Sequence, residues 1–137
     1  MELVYDYDAL VNRERCELRD EQGSVLYWGI YDFAFKYRTR IFDGNDDEVS
    51  FVQKDLESGL ETVGIYDPAD RKKGELLKEE GSYLLQPEGK EYAGNIREGG
   101  IPSLMKVENG TLFVEDENEV LKAAEVLFAL AQIDRKD

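Results

Sequence analysis

The sequence predicts a mainly β domain with one C-terminal helix, in which about 10–12 antiparallel strands form a barrel that encloses the helix. Three observations support this class. The 137 residues suffice for a single domain (1–137) that buries about two thirds of its unfolded surface. Turn signals recur at nearly even intervals before residue 116. Residues 116–137 then have the pattern of a helix that is apolar on nearly every side, and such a helix needs a wall around it.

Five predicted hairpins precede the helix. Their turns fall at residues 20–23, 43–46, 67–70, 87–89 and 108–110, where Asp, Asn, Gly and Pro are frequent. Apolar residues alternate on either side, as with Cys16 and Leu18 before the first turn and Val25 and Tyr27 after it. The five hairpins supply ten strands, and residues 3–10 have room for one or two more. Closing such a sheet into a barrel removes its exposed edges.

The C-terminal helix has a clear predicted start. Asp116 can cap the first free amides, and Glu119 follows three residues later, as in a capping box. One narrow stripe of the helix contains its polar residues and is formed by Lys122, Glu125, Ala129 and Gln132. The apolar run is about half of the roughly 20 residues that a membrane-spanning helix needs. We therefore expect a buried helix and no transmembrane segment.

Several segments resemble a known family. Residues 17–27, 41–44 and 47–54 are similar to the opening of the LURP-one-related proteins, and residues 123–134 resemble their terminal run of small and aliphatic residues closed by Ile-Asp. These proteins belong to the tubby C-terminal-like superfamily, and the chain resembles a short, bacterial-type member. The resemblance implies a barrel, typically of twelve strands, threaded by the C-terminal helix. It also implies a binding or scaffold role without catalysis.

The charge of the chain argues against anionic partners. Asp and Glu number 31 and Lys and Arg number 17, so the net charge is −14. Because nucleic acid and acidic membranes favour basic patches, we expect no nucleic-acid partner and disfavour lipid binding. The single cysteine, Cys16, cannot form an internal disulfide, and the acidic first residues lack the basic start of a secretory signal. We therefore expect a cytoplasmic protein.

Few catalytic arrangements are available to this chain. Without histidine, it cannot form Ser-His-Asp triads, Cys-His pairs or zinc sites built on imidazole. Cys16 is expected to be a small buried hydrophobe, and no two of the 31 acidic residues are marked as an acid and a base. The acidic segment 43–48 departs from a calcium-binding EF-hand at the sixth and twelfth positions, so we interpret it as a hairpin turn. We predict no catalytic, metal or cofactor site.

One candidate ligand site is a stripe of basic residues. Lys36, Arg38 and Arg40 alternate along a predicted strand and so point to one face. The resemblance implies a comparison with tubby proteins, which bind phosphoinositide headgroups through basic residues of the barrel. The alternative is that these residues pair with acids on the next turn and strand, such as Asp47, Glu48 and Asp55.

A second candidate is an aromatic segment, residues 27–35, which is apolar on both faces. One face must point into the barrel, and the other is either covered or exposed. If exposed, Trp28 and Tyr31 form a patch for a protein partner, because Trp and Tyr dominate the energetics of interfaces.

Two classes of function remain open. The first prediction is a non-catalytic binding or scaffold domain with an unknown protein partner, with phosphoinositide or other lipid-headgroup binding as its alternative. The less favoured class is a small carboxylate-based hydrolase. A ligand-sized interior cavity lined by carboxylates would favour the enzyme, whereas a filled interior would favour the binding domain.

Overall fold

The computed structural model of the protein describes residues 1–34, 38–55, 62–77, 90–92, 96–97, 105–108 and 110–133. Within these ranges the chain forms one antiparallel sheet and a long C-terminal helix, so the predicted mainly β class with a C-terminal helix is confirmed. The first half contains β1 (Glu2–Val4), α1 (Tyr7–Val11), β2 (Cys16–Arg19), β3 (Val25–Asp32), β4 (Arg38–Asp43) and β5 (Glu48–Asp55). The second half contains β6 (Thr62–Tyr66), β7 (Lys72–Leu77), β8 (Lys90–Tyr92), β9 (Ile96–Arg97), β10 (Met105–Glu108), β11 (Thr111–Val114), a 3₁₀ turn (Glu117–Glu119) and α2 (Val120–Ile133).

The sheet curls strongly. Its strand order is β8-β10-β11-β1-β2-β3-β4-β5-β6-β7-β9, so β8 and β9 are its two edges. Only three residues lie between Tyr92 at the end of β8 and Ile96 at the start of β9, and the four Cα–Cα steps from Tyr92 to Ile96 span at most about 14 Å. A flat sheet of this many strands would hold its edges about 48 Å apart. The two edges therefore approach each other, although no hydrogen-bonded ladder joins β8 to β9 among the described residues.

Helix α2 is enclosed by this curled sheet. Each residue from 123 to 132 is at most 8% exposed, and ten consecutive residues cover nearly three helical turns. Every side of the helix is therefore covered over this stretch, as the sequence predicts. The helix shares one hydrophobic core with residues of strands on both sides of the sheet order, including Leu112 of β11, Leu18 of β2 and Leu76 of β7. Of the predicted polar stripe, Lys122 is exposed, whereas Glu125, Ala129 and Gln132 are buried.

The N-terminal segment contains one strand, where the sequence left room for one or two over residues 3–10, and a short helix that was not predicted. The chain forms β1 and then turns into α1. The Asp6 carboxylate explains the turn, since it accepts hydrogen bonds from the backbone N–H groups of Asp8 (3.0 Å) and Ala9 (3.2 Å). Ala9 and Leu10 then pack into the core near α2.

Three hairpin turns share one geometry, and they are those predicted at residues 20–23, 43–46 and 67–70. In each, the carboxylate of the first Asp accepts hydrogen bonds from the backbone N–H groups two and four residues later, at 2.9–3.1 Å. The fourth residue has a left-handed backbone, with φ of 82° at Gly23, 65° at Asp46 and 66° at Asp70. The turn predicted at 87–89 lies outside the described residues, and the last turn joins β10 to β11.

The same three hairpins also share a β-bulge. In each, one extra residue lies six positions after the first Asp of the turn, and the three extra residues are Leu26, Val49 and Lys73. Leu26 and Val49 pack against the hydrophobic core, whereas the third hairpin has a lysine. The hairpins β2–β3, β4–β5 and β6–β7 are therefore structural repeats of one unit.

The left-handed turn position predicts the effect of Gly23→Ala. The substitution should lower the free energy of unfolding by about 1–2 kcal/mol, the cost of a left-handed conformation for an L-residue. A Cβ at Gly23 would meet nothing within 4 Å, so the loss is conformational and not steric. Urea denaturation measures it, with Gln22→Ala in the same turn as a control of negligible effect. Equal losses in the two variants would contradict the explanation.

The third turn predicts a dependence of stability on pH. Hydrogen bonds from the backbone N–H groups of Arg71 and Ala69, and the Arg71 guanidinium 3.0 Å away, lower the pKa of Asp67 from its usual 3.8. A group with a lowered folded pKa stabilises the fold above its unfolded pKa, and this contribution is lost as the pH falls through the folded pKa. Asp67→Asn should therefore lower the urea midpoint at pH 7, and the difference from wild type should shrink below about pH 4.

The control for this prediction is Asp70→Asn, which removes one charge from the same turn and leaves the hydrogen bonds of the Asp67 carboxylate in place. Its effect at pH 7 should be smaller, because Asn also tolerates the left-handed backbone. A difference between wild type and Asp67→Asn that stays constant from pH 7 to pH 2 would show that the Asp67 charge does not stabilise the turn.

Candidate functional site

The predicted basic stripe lies on the outer face of β4. Arg38 and Arg40 alternate with residues that point inward, and Lys36 lies outside the described residues. The Nε of Arg40 donates to Asp32 (2.7 Å) and its Nη1 donates to Glu48 (2.9 Å). These two carboxylates, Asp32 foremost, raise the pKa of the Arg40 guanidinium. Arg40 thus makes cross-strand ion pairs, the alternative that the sequence left open, and an anionic ligand would have to compete with two carboxylates.

Trp28 lies on the outer face of the sheet, where neighbouring side chains cover it. Its ring stacks on Phe42, with centroids 4.2 Å apart and an interplanar angle of 13°. The guanidinium of Arg15 lies 3.8 Å from the centroid of the Trp28 ring, and the indole N–H donates to Asp46 at 2.8 Å. Through one aromatic ring, these contacts join β3 to β4, to the residue that precedes β2 and to the turn between β4 and β5.

Tyr31 corrects the prediction of a shared contact patch with Trp28. Three positions separate the two residues on β3, so they point to opposite faces, and Tyr31 is only 7% exposed. The Tyr31 ring lies inside, beneath the guanidinium of Arg13 at 4.8 Å. Trp28 and Tyr31 therefore do not form one surface.

A second stack repeats the geometry of the first. Phe51 stacks on Tyr66, with centroids 4.9 Å apart and an interplanar angle of 11°, and the Arg38 guanidinium lies 4.2 Å from the Phe51 centroid. Arg38, Phe51 and Tyr66 correspond to Arg15, Trp28 and Phe42 of the first stack. When positions are counted from the first Asp of a residue's own hairpin turn, each residue of the second stack has the same position as its counterpart one hairpin earlier. The spacing of 23 residues from Arg15 to Arg38 and from Trp28 to Phe51 is visible in the sequence, but only the shared turn geometry reveals that these positions are equivalent.

The described interior contains one buried charged group that the sequence analysis missed, the carboxylate of Glu125 on α2. Its side chain is 5% exposed and lies 2.5 Å from the Nζ of Lys73 on β7. The Ser50 hydroxyl of β5, fully buried, donates to the same carboxylate, with the Tyr66 carbonyl as an alternative acceptor at 3.0 Å. We name Glu125, Ser50 and Lys73 the interior polar cluster. It connects the helix to two strands of the wall.

The bulge in β7 explains how a lysine reaches the interior. Lys73 is the extra residue between partners Lys72 and Gly74, and the equivalent extra residues of the other hairpins, Leu26 and Val49, pack on the core. The Lys73 side chain points inward to Glu125 and is 35% exposed, so it keeps partial access to water. The lysine therefore occupies a position that is aliphatic in the other two repeats, and Glu125 provides the opposite charge.

A second polar contact ties the far end of the helix to the sheet. The Nε2 of Gln132 donates to the Thr39 hydroxyl of β4 at 2.5 Å, and both residues are buried. The Oε1 of Gln132 has no hydrogen-bond partner in the described part of the chain. A gap near this contact, lined in part by Thr39, Tyr31 and Phe128, has a volume of about 10 Å³, which is about the room for one water molecule.

An open acidic cleft lies at the end of the sheet where the repeated turns are. Its volume is about 800 Å³, and its lining includes the carboxylates of Glu2, Asp20, Glu21, Glu115, Asp116 and Glu117. The Asp116 carboxylate accepts from the backbone N–H of Asn118 (2.9 Å), so this predicted cap residue caps the 3₁₀ turn, and α2 begins four residues later, at Val120. Among the described residues, no three acidic or thiol groups converge as metal ligands would. In segment 43–48, the Asp43 carboxylate is engaged by its own turn.

Two buried groups with potential nucleophilic chemistry are held in their neutral forms. Burial raises the pKa of the Cys16 thiol to about 12, and Cys16 is 1% exposed, which confirms the prediction of a small buried hydrophobe. Burial also raises the pKa of Tyr5 to about 12, and its hydroxyl donates to the Glu108 carbonyl at 2.5 Å. Neither thiolate nor phenolate is populated near neutral pH.

No protein-family model, curated protein or solved structure matches this chain. The resemblance to LURP-one-related proteins therefore stays a prediction from the sequence. Within the described residues, helices that combine enough length and hydrophobicity to cross a bilayer are absent.

The interior polar cluster predicts an unequal effect of removing its two charges. Lys73→Leu leaves a carboxylate buried without its cation, so the free energy of unfolding should fall by about 3–5 kcal/mol. Glu125→Leu should lower it less, because the partly exposed Lys73 can turn toward water. The double variant Lys73→Leu/Glu125→Leu should regain most of the loss, since aliphatic residues fill the equivalent bulge positions.

The control is Lys72→Leu, which removes the neighbouring lysine and its more exposed ion pair with Glu75. Its effect should be at most about 1 kcal/mol. Urea denaturation of the four variants measures all of these effects. Equal losses of stability in Lys73→Leu and Lys72→Leu would show that Lys73 does not stabilise the fold by compensating the buried charge of Glu125.

Proposed function

We propose that this protein is a non-catalytic binding or scaffold domain of the LURP-one-related type, built as a closed tubby C-terminal-like barrel. The short connection between β8 and β9 supports closure, because it keeps the two sheet edges within about 14 Å of each other. Adjacent strands lie about 4.8 Å apart, so the distance between the two edges at this point is at most about three strand spacings.

The observation that carries the functional proposal is the filled interior. Residues 123–132 of α2 occupy the space in which a barrel would otherwise hold a ligand or a substrate. The carboxylate of Glu125 contacts both the Ser50 hydroxyl and the Lys73 ammonium, and the gap near Thr39 has room for about one water molecule. A domain of this kind acts through its outer surface.

The outer face of β3 is the surface that we propose for a protein partner. Trp28 and Arg15 are held rigidly there by stacking, and Ile30, two residues further along the same face, is 37% exposed. Rigid aromatic and arginine side chains lose little conformational entropy on binding and are common at interface hot spots. The lipid-headgroup alternative is weaker, because Arg40 already binds Asp32 and Glu48.

Photo-cross-linking in cell extract tests the proposed surface. A photoreactive residue at Ile30 should form a specific protein adduct that Trp28→Ala abolishes. The matched control is the same residue at Val4, an exposed aliphatic position on β1 (52% exposed), which should give no such adduct. An adduct that forms equally at both positions, or that survives Trp28→Ala, would place the contact elsewhere.

Two further outcomes would replace the proposal. Flotation with phosphoinositide vesicles at low salt, lost in Arg38→Ala/Arg40→Ala, would establish the lipid alternative. Hydrolysis of a glycoside or ester substrate that Glu125→Gln abolishes would establish the enzyme class. We expect neither flotation nor turnover.

A further inference from the structure

The enclosed helix raises the question of what sets its position along and around its own axis. Four of the ten buried residues in its 123–132 stretch are alanines, namely Ala123, Ala124, Ala129 and Ala131. Apolar contacts with small residues discriminate weakly between neighbouring positions, and packed helices can shift by one turn, about 5.4 Å. Two polar contacts do distinguish such positions, because a buried polar group needs its own partner.

These contacts are the interior polar cluster at Glu125 and the hydrogen bond of Gln132 to Thr39. Glu125 and Gln132 are seven residues apart, so they lie on one side of the helix and about 10.5 Å apart along its axis. Their partners are on different strands: Ser50 on β5 and Lys73 on β7 for the first contact, and Thr39 on β4 for the second. A shift of one turn would separate both residues from all of these partners.

We propose that the two contacts form a register key, which fixes the axial and rotational position of α2 inside the sheet. Hydrophobic burial drives the helix into the interior, and the register key selects one position among the many that burial permits. Buried polar groups have this role in coiled coils, where one polar residue specifies the alignment of the helices. The register key also explains why the third bulge has a lysine where the other two have Leu26 and Val49, because a cation at this position pairs with Glu125 and an aliphatic side chain cannot.

The alternative is that packing alone sets the register, and Gly29 offers the means to separate the two explanations. The Phe128 ring of α2 lies directly over Gly29, where an added Cβ would come within 2.6 Å of it. Gly29→Ala therefore reports whether the helix is held in this position. In the wild-type protein it should raise the equilibrium constant of unfolding by about 5- to 150-fold, as overpacking does.

The decisive background is a variant without the register key, Thr39→Val/Ser50→Ala/Lys73→Leu/Glu125→Leu/Gln132→Leu. There the helix can move away from the clash, so Gly29→Ala should raise the unfolding constant by less than about threefold. Gly23→Ala, whose effect lies in a turn remote from the helix, should have the same effect in both backgrounds. If Gly29→Ala has its full effect in the variant, packing sets the register and the proposal is wrong.

Two partial variants keep the test decisive if the full variant does not fold. One is Ser50→Ala/Lys73→Leu/Glu125→Leu, and the other is Thr39→Val/Gln132→Leu. The effect of Gly29→Ala should be smaller in at least one of them than in the wild type, with more than one set of helix amide resonances in NMR spectra. An undiminished effect and one wild-type-like set of resonances in both would overturn the proposal.

Discussion

Burial of residues 123–132 removes water from every side of one helix, and this constraint accounts for the form of the sheet. A flat layer covers one side of a helix, so the strands must curl until their edges, β8 and β9, come close together. The same constraint explains Gly29, which has no side chain where the Phe128 ring lies. It also explains the polar interior contacts, because any polar group on so fully covered a helix needs a partner from the wall.

The wall itself is built from a repeated hairpin. Each of the three repeats uses an Asp-capped turn and a bulge six residues after that Asp, and two of them share an arginine and two aromatic rings stacked on the outer face. Bulges increase local twist, so their regular placement helps the sheet to curl. The repeats diverge inside, where the third has Lys73 in place of an aliphatic residue. The three repeats are thus similar in their turns and bulges, and they differ at the position that contacts Glu125.

Local patterns were sufficient to predict several features. The Asp-rich turns follow from the side chains of their own residues, the enclosed helix follows from its apolar circumference, and the burial of Cys16 follows from strand alternation. One prediction about the surface was incomplete, and another was wrong. Arg40 could be placed on a face, but its pairing with Asp32 depends on which strands are neighbours. Trp28 and Tyr31 were grouped by closeness in sequence, although a separation of three residues puts them on opposite faces of a strand.

The sequence by itself determined the class of elements, the position of the turns and the need to enclose the last helix, because these depend on residues that are near each other in the chain. Only the tertiary structure decided which polar groups meet inside. Glu125 is 75 residues from Ser50, and Gln132 is 93 residues from Thr39. No periodic pattern encodes such pairs, since each depends on the curl of the sheet and on the rotation of the helix within it. For that reason the partners of Glu125 and Gln132, two residues of the predicted polar stripe, could not be read from the sequence.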